Sequence, residues 1–303
     1  DDVIIKLENR PFATAKEQEI TNNEIQELKR GIASLKYFYE RAPQYHICVA
    51  GSLLGITLRQ GESFPVGKVN TIQMYPMTFT EFLIARGKNL MAELLENKDW
   101  QTLSTLHDVL IQMLREYYMV GGMPEAVNVF IETNDANSVR EVQREILLAY
   151  KNDISKHTTK EQSQRIAMVW NSMPSQLSKE NKKFIYGVVK KGGRANEFEL
   201  AIQWLIDAGL IIKVGRITTP SMPLKVYEDL SAFKLYLLDV GLLGAMAEIN
   251  PVQLLLPNDM KESKRMFTEN FVCTQLATQF NSSLFYYSKE NSTLEIDFFV
   301  QKE

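Results

Sequence analysis

The sequence predicts an α/β protein built in several parts: an α/β segment, an all-helical stretch, a helix followed by a two-strand wing, and α/β elements again at the end. Three observations predict it. Near the start, short apolar runs such as Ile47–Ala50 alternate with amphipathic stretches. The middle carries apolar residues at helical spacing. Toward the end, Ser283–Tyr287 and Thr293–Val300 read as two strands of alternating character. At 303 residues the chain exceeds the usual single-domain range, and with 45% apolar and 23% charged residues a core of normal size is expected.

Taken in order, Asp2–Leu7 is expected as a strand and Glu24–Glu40 as an amphipathic helix, with Ile25, Leu28, Ile32, Leu35 and Phe38 on one face. Arg41–Gln44 makes a loop and Tyr45–Ala50 a buried strand. Glu81–Glu96 and Trp100–Met119 follow as helices, and Gly121-Gly122-Met123-Pro124 breaks the pattern as a hinge or tight turn. Helices are then expected over Glu125–Phe130, Ser138–Asn152, Gln162–Met173, Lys182–Val189 and Asn196–Ala208. The strands Leu210–Val214 and Leu224–Glu228 would pair across the Gly215–Pro223 loop. Lys234–Leu243 is apolar and expected to be helical, as is Phe267–Phe280.

The formal charge of −3 excludes a strongly basic whole-protein footprint, while a local basic patch could still meet nucleic acid. Cys48 and Cys273 lie far apart in apolar stretches and read as buried thiols of a reducing compartment. Three well-separated histidines give no metal-ligand spacing. The apolar run Leu235–Ala247 is too short to span a bilayer and contains Asp239, so no membrane is expected. With no secretory signal in view, the cytoplasm is the expected address.

Four constellations could carry chemistry. A phosphate-binding loop needs G-x-x-x-x-G-K-[ST], so that backbone N–H groups surround the phosphates. Gly61 to Val69 comes nearest, but its glycines are one residue too far apart, Pro65 removes a donor and Val69 has no hydroxyl. It is not such a loop. Next, Asn23-Glu24 precedes a helix, where an acidic pair would hold Mg²⁺ and polarise water. Asn23 occupies the place of the metal-binding aspartate, leaving Glu24 as a base; alternatively, Asn23 is a helix cap. Ser52, at a strand tip, could contact a γ-phosphate and Lys68 could offer it a charge, or the two could be a Gly-Ser turn and a solvated lysine.

The third constellation is basic. Lys182, Lys183, Lys190, Lys191 and Arg194 flank the helix Asn196–Ala208, which buries Phe198, Ala201, Ile202, Leu205 and Ile206. A helix followed by a two-strand wing outlines a winged helix, and basic residues at its N-terminal edge suit the phosphates of duplex DNA. Against that, Glu197, Glu199 and Asp207 put negative charge on the reading helix, and phosphate contacts position without specifying sequence. The fourth gathers Glu269 with Glu295 and Asp297, which share one face of the last strand. Metal-dependent nucleases group carboxylates in this way around Mg²⁺. The other reading is a pair of solvated charges that guard an edge strand.

A resemblance ties these segments together. Residues Asn23–Phe38, Ala50-Gly51-Ser52, Gly67-Lys68-Val69 and Tyr75–Phe82 are similar to the second half of an ATPase module. That module belongs to AAA-like bacterial and archaeal P-loop proteins fused to a C-terminal domain of unknown function, numbered 4143. Tyr118–Glu125, Gly193–Leu210, Pro223–Leu243, Glu269–Val272 and Glu295–Phe298 extend the likeness over roughly residues 20–300.

The resemblance implies a partial P-loop (AAA-like) parallel sheet over 1–84, a helical region over 85–155, a winged-helix-like domain over 156–230 and an incomplete, restriction-endonuclease-like α/β module over 231–303. It implies that Glu24 is the catalytic glutamate and Ser52 the sensor, and that Lys68 stands where many relatives carry arginine. Asn23 replaces the expected metal-binding aspartate. Glu269 and Asp297 match acidic positions of the nuclease-like module, whose Glu-x-Lys strand is missing. ATP and Mg²⁺ would be cofactors of an intact protein, but neither should bind this chain tightly, because its first nucleotide motif is absent. The partners considered are duplex DNA, through the winged helix, and a second copy of the chain. The alternatives are a non-catalytic module that docks DNA or protein, and a Mg²⁺-dependent nuclease.

Overall fold

The computed structural model of the protein describes residues 3–6, 31–45, 47–51, 67–179, 183–256, 261–280, 282–289 and 294–302. Two compact units emerge: Asp1–Tyr75 with Gln203–Leu210, and Pro76–Ile202 with Ile211–Glu303.

In the first unit, strand β1 (Val3–Lys6) lies between β2 (Cys48–Val49) and β3 (Asn70–Gln73). Ile5 stands opposite Val49 and Ile4 opposite Ile72, both pairings antiparallel. The parallel sheet expected here is thus not what these three strands form. β2 and β3 run the same way, but β1, inserted between them, supplies every ladder hydrogen bond in the opposite sense. Helix α1 (Gly31–Arg41) buries Ile32 and Leu35 one turn apart, as the periodicity demanded, and ends with Arg41 at the negative pole of its dipole. The earlier part of the expected helix, Glu24–Arg30, lies outside the described residues.

The second unit opens with helices α2 (Phe79–Ala85), α3 (Asn89–Glu96), α4 (Trp100–Thr105), α5 (His107–Val120), α6 (Pro124–Thr133), α7 (Ala136–His157) and α8 (Lys160–Leu177). Caps set several of these starts. Thr78 and Glu81 form a reciprocal capping box on α2, Asp99 caps α4, and Thr159 with Gln162 repeats the box on α8. The single helix expected over Glu81–Glu96 is two, because Gly87 takes φ +70° and turns the chain between them. The helix expected over Trp100–Met119 likewise divides at Leu106. Of the helix expected over Lys182–Val189 only α9 (Tyr186–Val189) is present. Lys183 is instead extended, bridged antiparallel to Lys234.

Helix α10 (Ala195–Asp207) leads to a mixed sheet of β4 (Ile211–Ile217), β5 (Glu228–Leu237), β6 (Leu284–Ser288) and β7 (Glu295–Val300) in the order β5-β4-β6-β7. β4 is antiparallel to β5 and parallel to β6, and β6 is antiparallel to β7. Two expectations change here. Leu224–Tyr227 is a short 3-10 turn, and the pairing strand begins only at Glu228. The apolar stretch Lys234–Leu243, expected as helix, is the end of β5 followed by α11 (Val240–Met246), which Asp239 caps. β5 is buried continuously from Ala232 to Leu237, so both its faces are covered and no strand-like alternation was left in the sequence to see. Helices α8 and α13 (Lys261–Phe280) both pack on β5, and α12 (Pro251–Leu255) lies against α5 and α7. Among the described residues no helix is long and apolar enough to cross a membrane.

Candidate functional site

Of the residues expected at a nucleotide, Asn23, Glu24 and Ser52 lie outside the described residues. Lys68 is described. Its ammonium lies 3.3 Å from a Glu40 carboxylate oxygen and 4.8 Å from the centre of the Tyr39 ring, and both members of the ion pair remain about one-third exposed. The lysine is therefore held beside the end of α1 by contacts that solvent weakens.

In the basic cluster Lys182 lies outside the described residues. Lys183 is held by its main chain beside β5, where the following residue, Phe184, donates its N–H to the Phe233 carbonyl at 2.8 Å. Lys190, Lys191 and Arg194 sit exposed on the turn before α10. Gly192 has φ +78°, and a Cβ on Gly193 would meet the Tyr186 and Lys190 carbonyls at 2.9 and 3.0 Å, so the turn needs both glycines. Lys190 reaches Glu197 at 2.6 Å, which neutralises part of the cluster. On α10, Phe198, Ala201, Ile202 and Leu205 are buried as expected, whereas Ile206 is only half-buried and Leu200 is 77% exposed.

Two of the three expected carboxylates share one cation and the third is held by another, neither of which the sequence reading placed. Lys234, 1% exposed, extends its ammonium to Glu295 and, at 3.1 Å, to Asp297. The same ammonium lies 4.8 Å from the centre of the Tyr286 ring. Glu269 accepts from Arg265 Nε at 2.7 Å and from the Tyr236 hydroxyl at 3.2 Å. Burial and the neighbouring carboxylates raise the Tyr236 phenol far above its usual range, and burial pushes Tyr286 up to about 12, so both remain neutral donors. Among the described residues no group of three or more histidine, cysteine or acidic side chains is arranged to hold a metal ion.

A further constellation centres on Asp239. This carboxylate accepts the Gly122 N–H at 2.6 Å and the Leu242 N–H at 2.8 Å. Burial raises it to about 6, against the opposing pull of its backbone donors. Gly121 takes φ +77°, and a Cβ there would stand 2.2 Å from Asp239 Oδ1. The turn is also tied to Met77, whose N–H donates to the Gly122 carbonyl at 2.7 Å and whose carbonyl accepts from the Tyr117 hydroxyl at 2.6 Å. Gln143 donates to the Met119 and Val120 carbonyls at 2.9 and 2.8 Å. Arg140, buried and lowered to about 10 by desolvation, reaches the Gly241 and Ile249 carbonyls at 3.3 and 3.2 Å. The Gly-Gly-Met-Pro and Asp-Val-Gly-Leu stretches were visible in sequence; nothing said that they meet. A groove of about 570 Å³ lies beside this region, between α7, α8 and α11, with Leu147, Ile154, Trp170 and Met246 in its lining and Lys151 and Glu248 among the polar residues there.

Two family models match parts of the chain. Residues 6–83 match the family model of an AAA domain, which supports an AAA-like ATPase family for that segment. Residues 111–253 match the model of a Domain of unknown function (DUF8612), a different one from the domain numbered 4143 that the resemblance suggested. That match holds Lys234 and the Asp239 constellation apart from Met77, but stops short of Glu269, Glu295 and Asp297. No curated protein and no solved structure matches the chain.

Proposed function

We propose that this chain is part of an AAA-like ATPase in which the first unit contributes one side of an ATP site and the second unit docks a partner. The match of residues 6–83 to an AAA domain carries the proposal. In a protein holding both halves of the module, Glu24 would orient the water that attacks Mg²⁺-bound ATP and Ser52 would read the γ-phosphate. Lys68 would exchange Glu40 for a phosphate oxygen, a change that its solvent-weakened ion pair leaves inexpensive. The G-x-x-x-x-G-K-[ST] motif that grips phosphate is missing from this sequence, so the chain alone should not bind ATP tightly.

The test is titration of a fluorescent ATP analogue, with Mg²⁺, into this chain and into a protein that also carries a Gly-rich GK[ST] loop. Binding by the second, weakened by Lys68→Ala, and none by the first is the expected result. Tight Mg²⁺-dependent binding by this chain, or none by the longer protein, overturns it.

The docking role has its own support. The order α8, bridged Lys183, α9, α10, β4, β5 is compatible with the winged helix expected from the sequence, and Lys190, Lys191 and Arg194 stand exposed before α10. Duplex DNA is the partner that this edge suits. Replacing the three cations by alanine should weaken binding across unrelated sequences and flatten its salt dependence by about one unit of slope per lost phosphate contact. Binding unchanged by the triple substitution would leave a protein partner as the occupant of this face.

A further inference from the structure

We propose that the ammonium of Lys234 is the resident cation of the Glu295–Asp297 pair, in the position where a nuclease-like carboxylate pair would hold a divalent metal. Glu295 and Asp297 lie two residues apart on β7 and point the same way, which is how a metal-binding pair is presented. Their free oxygens, however, converge on Lys234, a side chain 1% exposed that enters from β5. β5 and β7 are the two outer strands of the sheet, so the lysine reaches over β4 and β6 to make this contact, with the Tyr286 ring of β6 alongside it.

Three arguments make this an occupied cation site and not a metal site awaiting its ion. Mg²⁺ binds carboxylate oxygens at about 2.1 Å, so an ion on these same oxygens would stand within a few ångströms of the ammonium, and in a partly desolvated setting that repulsion is large. The third carboxylate is engaged as well: Glu269 is held by Arg265 and by the neutral Tyr236 hydroxyl. The buried lysine, moreover, has to keep both its acidic partners, because an unpaired ammonium in that position would be left without compensation. The carboxylates thus serve as a strap across the sheet, and the residues as they stand do not fit a divalent metal. This inference does not depend on the ATPase reading.

The test uses Mn²⁺, followed by loss of its free electron-paramagnetic-resonance signal, with the whole chain. The wild type should show no tight Mn²⁺ binding. Lys234→Met, which keeps the length of the side chain and removes its charge, should bind Mn²⁺ at least about tenfold tighter than wild type. The gain should vanish in Lys234→Met/Glu295→Gln/Asp297→Asn. Tight Mn²⁺ binding by wild type that Asp297→Asn abolishes overturns the proposal, and so does Lys234→Met binding no tighter than wild type. A second measurement stands even if Lys234→Met folds poorly. Glu295→Gln/Asp297→Asn should lower the melting temperature by stranding the lysine, and adding Lys234→Met should recover part of the loss. A triple variant that melts no higher than the double overturns the strap.

Discussion

Gly122→Ala tests whether the meeting of the Gly121-Gly122 turn with Met77 and Asp239 is as close as the structure has it. A Cβ on Gly122 would lie 2.1 Å from the Met77 carbonyl oxygen, 2.8 Å from its nitrogen and 3.0 Å from its carbonyl carbon. All three are main-chain atoms, so no side-chain rotation relieves the overlap. Separating the two chain segments of this contact stretches the Met77 N–H to Gly122 carbonyl bond of 2.7 Å and pulls the Gly122 N–H from the Asp239 carboxylate, now 2.6 Å away. A neutral backbone bond is worth about 1 kcal/mol and a bond to a charged group about 2 kcal/mol, and local strain adds about 1–3 kcal/mol. The expected loss is therefore about 4–6 kcal/mol, a large part of the stability of an ordinary domain. Urea unfolding followed by far-UV circular dichroism measures it, with the slope unchanged and the midpoint lowered. Gly187→Ala is the matched control: it sits in α9 with only the Ile185 side chain near, at 4.0 Å, and should be neutral or stabilising by up to about 1 kcal/mol. A Gly122→Ala protein within about 1 kcal/mol of wild type would refute the close approach.

Three further outcomes follow from the same region. Asp239 is raised from 3.8 to about 6, so its neutral form is favoured by folding; its contribution is fully present below pH 3.8 and is lost as pH rises through about 6. The stability of wild type relative to the non-titrating Asp239→Asn should fall by about 3 kcal/mol across that window, and a difference that rises or stays flat in urea titrations at several pH values would contradict the desolvation argument. Tyr117→Phe removes the hydroxyl that donates to the Met77 carbonyl and should cost about 1–2 kcal/mol by thermal melting, with the aromatic contacts of the ring to Phe79, Phe82 and Phe271 retained. Thr78→Ala breaks the capping box of α2 and should cost about 1 kcal/mol, while Thr78→Ser should cost much less.

What the sequence revealed depended on how each element is buried. Helix α10 was legible because Phe198, Ala201, Ile202 and Leu205 recur at helical spacing along a half-buried element. β5 was not, because a strand covered on both faces loses its alternation and reads like a buried helix. Lys234 itself carried a signal: a lysine inside Ala232–Leu238 is more costly to bury than any neighbour, so it implies an acidic partner. The companions Glu295 and Asp297 were seen as a pair from their two-residue spacing, but the cation between them comes from a strand sixty positions away, and spacing carries no such information. Asp239 was noticed only as a charge in an apolar run. Its meaning depends on Gly122, and pairing between distant loops is set by tertiary contact. The helix division at Gly87 was foreshadowed by the glycine itself, which periodicity alone overrides too readily, whereas the one at Leu106 has no capping side chain to announce it.

The anchoring of Met77 has a practical corollary for anyone who wishes to cut this polypeptide into pieces. The stretch that matches an AAA domain runs to residue 83, yet the compact units part at Tyr75–Pro76. Between those points Met77 is fastened at both its amide and its carbonyl, and Phe79 donates its amide to Gln275 at 2.9 Å while its ring meets Tyr117 and Phe271 edge-on. A C-terminal fragment trimmed at the family boundary would leave that aromatic nest bare and prone to clump, whereas one begun at Pro76 carries its own plug.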